Sequence, residues 1–340
     1  MKLAFITGIS GQDGYYLSKL LLTKKYKVYG IVRRTSELYC SSRIKSIEEN
    51  IILKYGDLTD ALSLMSVVND IIKDNPEFEV MEIYNLGAQS HVSISFEIPN
   101  YTTEVDAIGT LNILEIIKQQ PEHVKKKIKF YQAGTSELYG RVLETPQKES
   151  TPFNPISPYA AAKQYAYQMT KIYRQGYGIY AVNGILFNHE SPKRAPNFVT
   201  MKIINAVKDI EKGTREYVEV GNIYSKRDWG HAEDYVNGMW LMMQNKTPTD
   251  YVLATGKTYT VKEFIEKAFL FKKFKIHWEN SGTQEIGIDQ NGITRVKISE
   301  KFYRPCEVDL LLGDSSKART ELGWSLKYKN LDDLIEDMFA

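Results

Sequence analysis

The sequence predicts an α/β fold: a doubly wound parallel sheet followed by a smaller C-terminal lobe. Three observations predict it. Short apolar runs alternate with helical patterns through the first 187 residues, glycines cluster in the turn after the first run, and the pattern then changes. From about residue 188 the apolar runs are shorter and are punctuated by Pro192, Pro196, Pro248 and Pro305. Alternating strands and helices imply parallel strands, because a parallel connection needs a crossover.

Lys2 to Thr7 reads as a buried strand, and Gln12 to Lys24 as a helix with Tyr16, Leu17, Leu20 and Leu21 at helical spacing. The apolar run Lys27 to Val32 closes a βαβ unit of about thirty residues. Further strands are expected at Ile51 to Tyr55, Glu82 to Leu86, Ile128 to Ala133 and Tyr180 to Leu186, with helices at Thr110 to Lys118 and Pro158 to Tyr177. Residues 1–187 are therefore expected to form the sheet domain. Residues 188–340 are expected mainly as the lobe that caps the carboxyl edge of the sheet, with some later segments returning to it. The polar stretch Asn280 to Thr294 reads as an exposed excursion. No internal repeat or low-complexity segment occurs.

A chain of 340 residues suits two domains, or one large α/β unit with a lobe. Hydrophobic residues make up 43% and charged residues 25%, which excludes a disordered or fibrous chain. The net charge of +2 and the isolated clusters Lys125-Lys126-Lys127 and Lys272-Lys273 lack the basic stripe with interleaved aromatics of a nucleic-acid binder, so they read as solvated faces. An anionic small molecule, which needs only a few arginines, stays open. Two cysteines, Cys40 and Cys306, make no disulfide framework and point to a reducing compartment. The apolar run Leu3 to Ile6 is too short for a signal peptide, and no run of about 18 apolar residues occurs, so neither secretion nor a membrane span is expected. A cytoplasmic protein is the expectation.

The loop Gly8-Ile9-Ser10-Gly11-Gln12-Asp13-Gly14 follows the first strand and opens the first helix. Glycines at 8, 11 and 14 let the backbone approach a pyrophosphate and present amides at a helix N-terminus, which makes this a candidate Rossmann-type dinucleotide loop. A tight strand-to-helix turn is the plain alternative. The residue after the second strand selects the cofactor, since an acid there binds the ribose 2′-hydroxyl and arginine accepts a 2′-phosphate. Arg33-Arg34 stands there, favouring NADP over NAD; the alternative is that these arginines merely cap the strand. Asp57 and Leu58 follow the third strand, where the adenine end would lie.

Tyr159 and Lys163 are four residues apart, hence on one helical face. A nearby ammonium favours the phenolate, so such a tyrosine can act as general base on a hydroxyl. Many helices carry this spacing by chance; its combination with the glycine loop is far rarer.

With that combination the chain resembles the extended short-chain dehydrogenase/reductase superfamily. Within it the chain is similar to the GDP-mannose 4,6-dehydratase family, through Gly11-Gln12-Asp13-Gly14, Gly56 to Asp60, Tyr84 to Val92, Thr135-Ser136-Glu137-Leu138-Tyr139-Gly140, Asn183 to Pro192, Arg227-Asp228-Trp229-Gly230-His231, Tyr303-Arg304-Pro305 and Glu307-Val308-Asp309. The resemblance implies oxidation of the mannosyl C4 hydroxyl with NADP+, loss of water across C5 and C6, and hydride return to C6. It implies Tyr159 as base for O4, Lys163 lowering its pKa and holding the nicotinamide ribose, Thr135 bonding O4, and Glu137 serving C5 and the C6 leaving group. For the cofactor it points to Gly8, Gly11, Gln12, Asp13, Gly14, Arg33, Asp57, Leu58, Leu86, Gly87, Ala88, Gln89, Ser90, Tyr101, Lys163, His189 and Arg194. For GDP-mannose it points to Asn188, Asn197, Lys202, Gly221, Arg227, Arg304 and Glu307; guanidinium pairs well with diphosphate oxygens. His189 also has a plain reading as a buried, hydrogen-bonded histidine. The five histidines show no metal-ligand spacing, so no metal is expected.

The match loosens at three places. Gly134 stands where serine is expected before Thr135, and Met201 where arginine is expected before Lys202. The loop Thr35 to Arg43, with Glu37 and Cys40, is atypical, and relatives use it to reach a neighbouring subunit, so the expected homodimer or homotetramer rests on the resemblance alone. Two rivals remain: a sugar-nucleotide epimerase or 4-keto reductase on the same scaffold, and a non-catalytic dinucleotide sensor. Glu137 argues against the first, and the intact Tyr159, Lys163 and Glu137 against the second.

Overall fold

The structure is a computed structural model that describes residues 1–34 and 43–340. The loop expected to reach a neighbouring subunit lies, except for Arg43, outside the described residues.

Six strands of the sheet follow the apolar runs: β1 (Lys2–Thr7), β2 (Lys27–Val32), β3 (Ile52–Tyr55), β4 (Val80–Asn85), β5 (Ile128–Ala133) and β6 (Tyr180–Leu186). A seventh strand, Tyr251–Leu253, adds beside β6. The order across the sheet is Tyr251–Leu253, β6, β5, β4, β1, β2, β3, with every pair parallel. Alternate residues of one strand serve opposite faces: Ala4 and Ile6 enter one core cluster, Leu3 and Phe5 the other. Burial on both faces is why these strands read as unbroken apolar runs rather than alternating ones. The chain winds from β1 outward to β3 and then crosses back to β4 on the other side of β1. The carboxyl ends of β1 and β4 therefore diverge, and their loops frame a crevice.

The helix Pro158–Tyr177 lies where the sequence predicts it, and its ends show why. Ser157 Oγ accepts the Ala160 amide at 3.1 Å, Pro158 occupies the first helical position, and Gly178 ends the helix at φ +64°.

The residues after 187 divide their packing. Helices Ala232–Gln244 and Ser316–Leu322 send Tyr235, Met239, Met242 and Ala318 into the core of the sheet. The lobe has its own core, built on helices Val199–Glu211, Val261–Phe271 and Leu331–Phe339. Against it lies a four-stranded sheet in the order His277–Glu279, Ile286–Ile288, Thr294–Ile298, Val218–Val220. This corrects the reading of Asn280 to Thr294 as an exposed excursion: Ile286–Ile288 pairs on both sides. Asn280 to Gln284 and Gln290 to Gly292 are exposed as expected, but two acids of the stretch are buried in ion pairs, Glu285 with Lys262 and Asp289 with Arg295, each at 2.7 Å. Both partners lie outside or at the far edge of the stretch, so local composition could not reveal them. Among the described residues no helix is long and apolar enough to cross a membrane.

Candidate active site

A single cleft of about 1220 Å³ runs from the carboxyl ends of β1, β2 and β4 to the lobe. Every residue singled out from the sequence for catalysis, cofactor or substrate lines it.

The glycine loop forms its floor. Gly8 sits at φ +68°, and a Cβ there would lie 2.7 Å from the Gly87 amide nitrogen beyond β4. A Cβ on Gly14 would lie 2.4 Å from the Ile9 carbonyl oxygen. The backbone is thus stripped where the crevice is narrowest, and the first helix opens on Gly11 with no side-chain cap, leaving amides for an anion. Gln12 and Asp13 tie this loop to the strand Asn188–Glu190. Gln12 Nε2 donates to the His189 carbonyl at 3.0 Å, Gln12 Oε1 accepts from Ser191 Oγ at 2.8 Å, and Asp13 Oδ2 lies 2.9 Å from His189 Nε2. The other ring nitrogen of His189 lies 2.8 Å from the Phe187 carbonyl, and the ring stacks on Tyr235. Both nitrogens are engaged within the protein, as the plain reading of this histidine has it, although the residue also borders the cleft. Against burial, which pushes it down, the Asp13 carboxylate holds the His189 imidazole above the usual histidine range. Asp13 is itself held below the usual carboxylate range, with burial opposing and His189 prevailing.

Arg33 lies at the end of β2 in the cleft, with its guanidinium on the Tyr101 hydroxyl, whereas Arg34 sits with its guanidinium 5.0 Å from the Tyr55 ring centroid. Asp57 Oδ1 accepts from the Thr59 amide and hydroxyl, both at 2.9 Å, so its carboxylate shapes the turn after β3. Leu58 packs against the Leu86-to-Ser90 segment, its Cδ1 being 2.8 Å from where a Gly87 Cβ would stand.

The four candidate catalytic residues come from two neighbouring elements. Thr135, Glu137 and their turn Ser136–Tyr139 continue β5, with Thr135 Oγ1 accepting the Glu137 amide at 3.2 Å. Tyr159 and Lys163 stand on the first turns of the helix Pro158–Tyr177; Lys163 Nζ donates to the Ala133 carbonyl at 3.1 Å and lies 5.9 Å from the Tyr159 ring centroid. Burial raises the Tyr159 phenol above its usual range, the Asp106 carboxylate adds to this, and the Thr135 hydroxyl opposes it. The lowering expected of Lys163 thus works against burial and Asp106. Burial lowers Lys163 itself, against the pull of Asp106 and Asp13.

Asp106 was not singled out from the sequence. It is buried in a widened helical turn over Glu104–Ile108, accepts the Gln89 amide at 2.7 Å through Oδ1, and has no partner for Oδ2 among the described residues. Burial pushes its carboxyl up to about 6, with Lys163 and the Gln89 amide working against burial. No motif marks it; the only sequence signal is an acid set between the apolar Val105 and Ala107 before Gly109.

Toward the lobe, Glu137 Oε1 lies 3.7 Å from Arg304 Nη1, which lies 3.6 Å from Glu307 Oε1, which accepts Arg227 Nη2 at 2.8 Å. Arg227 Nη1 donates to the Val308 and Lys226 carbonyls, so this guanidinium is fixed, whereas Arg304 Nη1 is buried without a hydrogen-bond partner among the described residues. Arg194 stacks on Phe198 at 3.6 Å with its Nε 3.0 Å from Glu190 Oε2. Asn188 Oδ1 is buried without a partner among the described residues, and the Asn197 carbonyl lies 3.4 Å from His91 Nε2. Lys202 Nζ sits 3.2 Å from the Phe302 ring centroid and burial pulls its pKa down to about 8. Gly221 lets the Phe302 carbonyl come within 2.5 Å of where a Cβ would be.

Two departures from the family pattern have structural reasons. A Cβ on Gly134 would meet the Gly184 carbonyl oxygen at 2.7 Å, so this backbone accommodates glycine and would have to shift for serine. Met201 is buried in the lobe core, beside Lys202, which faces the cleft.

A parallel sheet in this order, with the glycine loop at its crossover and the tyrosine and lysine on the helix leading to β6, defines an extended short-chain dehydrogenase/reductase. A family model described as GDP-mannose 4,6 dehydratase matches residues 5–338, and the chain belongs to that family. It is 50% identical to the GDP-mannose 4,6 dehydratase of Drosophila melanogaster over 99% of this chain and 85% of the fly protein. Against the GDP-mannose 4,6-dehydratase of Sinorhizobium fredii (strain HH103) the identity is 50%, over 95% of this chain and 92% of the other. In fold it resembles the crystal structure of dTDP-glucose 4,6-dehydratase from Bacillus anthracis in complex with NAD, with a TM-score of 0.76 and 20% identity over 99% and 96% of the two chains.

Proposed function

We propose that this chain is an NADP-dependent GDP-mannose 4,6-dehydratase, converting GDP-mannose to GDP-4-keto-6-deoxymannose and water. The observation that carries the reading is one cleft in which Tyr159, Lys163, Thr135 and Glu137 stand next to the guanidinium groups of Arg304 and Arg227, on a chain of this family. The residues fit a dinucleotide: the loop at Gly8 and Gly14 has no room for side chains, and Gly11 leaves uncapped amides at a helix N-terminus. Gly8, Gly11, Gln12, Asp13, Gly14, Asp57, Leu58, Leu86 to Ser90, Tyr101, Lys163, His189 and Arg194 would hold it. Arg33, beside Tyr101 in the cleft, supports a 2′-phosphate there and hence NADP.

When bound, an oxidised dinucleotide would supply a positive charge, the acceptor for the C4 hydride and the source of the same hydride for C6. Thr135 bonds O4 and Tyr159 takes its proton, while Lys163, anchored on the Ala133 carbonyl, holds the nicotinamide ribose. The resulting ketone acidifies the C5 hydrogen. Glu137 takes that proton and gives one to the departing C6 hydroxyl. The proton lost from O4 is balanced by the one C5 regains, so the net change is loss of one water. Asn188, Asn197, Lys202, Gly221, Arg227, Arg304 and Glu307 would hold GDP-mannose. A homodimer or homotetramer goes with this reading, supported by the exposed apolar Tyr165 and Ile172 seven residues apart on one helix, and sedimentation with and without NADP+ checks it. The functional test is GDP-mannose with substoichiometric NADP+, read by mass. Loss of one water without net NADPH is expected; unchanged mass, with or without a new isomer, overturns the reading.

A further inference from the structure

Ser225 lines the lobe end of the cleft, is 4% exposed, and its Oγ has no hydrogen-bond partner among the described residues. A buried hydroxyl without a partner is costly, so its persistence needs a reason. Its position is held firmly. The Ser225 carbonyl accepts the Val261 amide at 3.2 Å, and the next residue is bonded on both sides, its amide to the Asp309 carbonyl at 2.8 Å and its carbonyl to the Leu311 amide at 3.1 Å. Side chains two apart on extended backbone share a face. Ser225 and Arg227 thus both face the cleft, while Lys226 between them is exposed.

The charged residues order the cleft outward from the reacting carbons: Glu137, then Arg304, Glu307 and Arg227, each within 3.7 Å of the next. Trp229–His231 pairs with Asn188–Glu190 beside the glycine loop, and the chain before it leads away from that loop, through Arg227 to Ser225, two residues or about 6.6 Å further on. That is one step past a diphosphate. Beside it the lining is apolar at Val261, whose amide bonds the Ser225 carbonyl. A nucleoside diphosphate sugar laid along this order puts its hexose at Glu137 and its diphosphate at the arginines, and its ribose reaches Ser225 before the base does.

We infer that Ser225 is a specificity residue whose hydroxyl bonds a ribose hydroxyl of the nucleoside diphosphate. The inference rests on the proposed function, and its test separates the two. Binding of GDP, 2′-deoxy-GDP and 3′-deoxy-GDP is measured by calorimetry on the NADP-loaded wild type and on Ser225→Ala. The substitution removes an unpaired hydroxyl, so folding should be unaffected; the thermal midpoint and NADP affinity are measured alongside. The expected result is GDP affinity weakened about 2- to 10-fold. Wild type should lose about as much for one deoxy analogue, and Ser225→Ala should bind that analogue and GDP alike. Equal GDP affinity in the two proteins overturns the inference, as do deoxy penalties that survive in Ser225→Ala, or a matching loss of thermal stability and NADP affinity. A wild type that does not bind GDP overturns the proposed function itself.

Discussion

Replacing Glu137 by glutamine keeps the shape of the side chain and removes its ability to take a proton. The structure predicts a folded variant. The Glu137 amide is capped by Thr135 rather than by its own carboxylate, and the carboxylate makes no hydrogen bond among the described residues. The charge it loses faces Arg304 at 3.7 Å, beyond hydrogen-bond distance, and Arg304 keeps Glu307 at 3.6 Å, so its guanidinium is not left without a counter-charge. General acid–base catalysis contributes about 10²- to 10⁴-fold, or roughly 2.7 to 5.4 kcal/mol of barrier. The loss of proton transfer therefore outweighs the loss of the ion pair, and the defect should fall on the rate of elimination with little change in substrate affinity. Single turnover of the NADP-loaded enzyme distinguishes the steps. Glu137→Gln should still oxidise C4, so NADPH absorbance rises toward one equivalent per site and persists, while dehydrated product forms at least about 100-fold more slowly. Product formation within about threefold of wild type would refute the assignment. Loss of the NADPH signal together with the product would refute the division of labour between Tyr159 and Glu137.

Two further predictions concern the cofactor. Arg33→Ala should weaken NADP binding about 10- to 100-fold, the range for a lost charged hydrogen bond, while changing NAD affinity less than about threefold; parallel losses would show that Arg33 does not meet a 2′-phosphate. The His189–Asp13 contact should make the glycine loop pH-sensitive. His189 is raised by Asp13, so its contribution is complete below the ordinary histidine value of 6.5 and is lost as pH rises through the raised one. Asp13 is lowered, so its contribution is present above 3.8 and is lost as pH falls through the depressed value. Hydrogen exchange of the amides of residues 11 to 14, corrected for intrinsic rate, should show protection falling as pH rises through and beyond neutrality in wild type and flat in His189→Asn. A flat wild-type profile would remove the latch.

The parts legible in the sequence are those whose causes are local. β1, β5 and β6 are buried on both faces, so each is a continuous apolar run, and the helix Pro158–Tyr177 carries its own cap in Ser157, Pro158 and Gly178. The strand Tyr251–Leu253 is three residues long and belongs to the sheet only because it meets β6. Ile286–Ile288 was hidden because its flanking acids find Lys262 and Arg295 in the folded chain. In the site, the glycine loop and the tyrosine–lysine spacing are readable as chemistry, and Glu137 and the arginines only through a family pattern. Asp106 and Ser225 belong to neither group. What marks them is an unpaired buried oxygen, which exists only after packing.

The central claim is that one hydride leaves C4 and comes back at C6 of the same sugar. GDP-mannose carrying deuterium at C4, incubated with the enzyme and substoichiometric NADP+, tests it by NMR of the product. The account predicts one deuterium at C6, none remaining at C4, and no accumulation of reduced cofactor. Deuterium retained at C4, or lost to solvent or to a pool of reduced NADP, would contradict it.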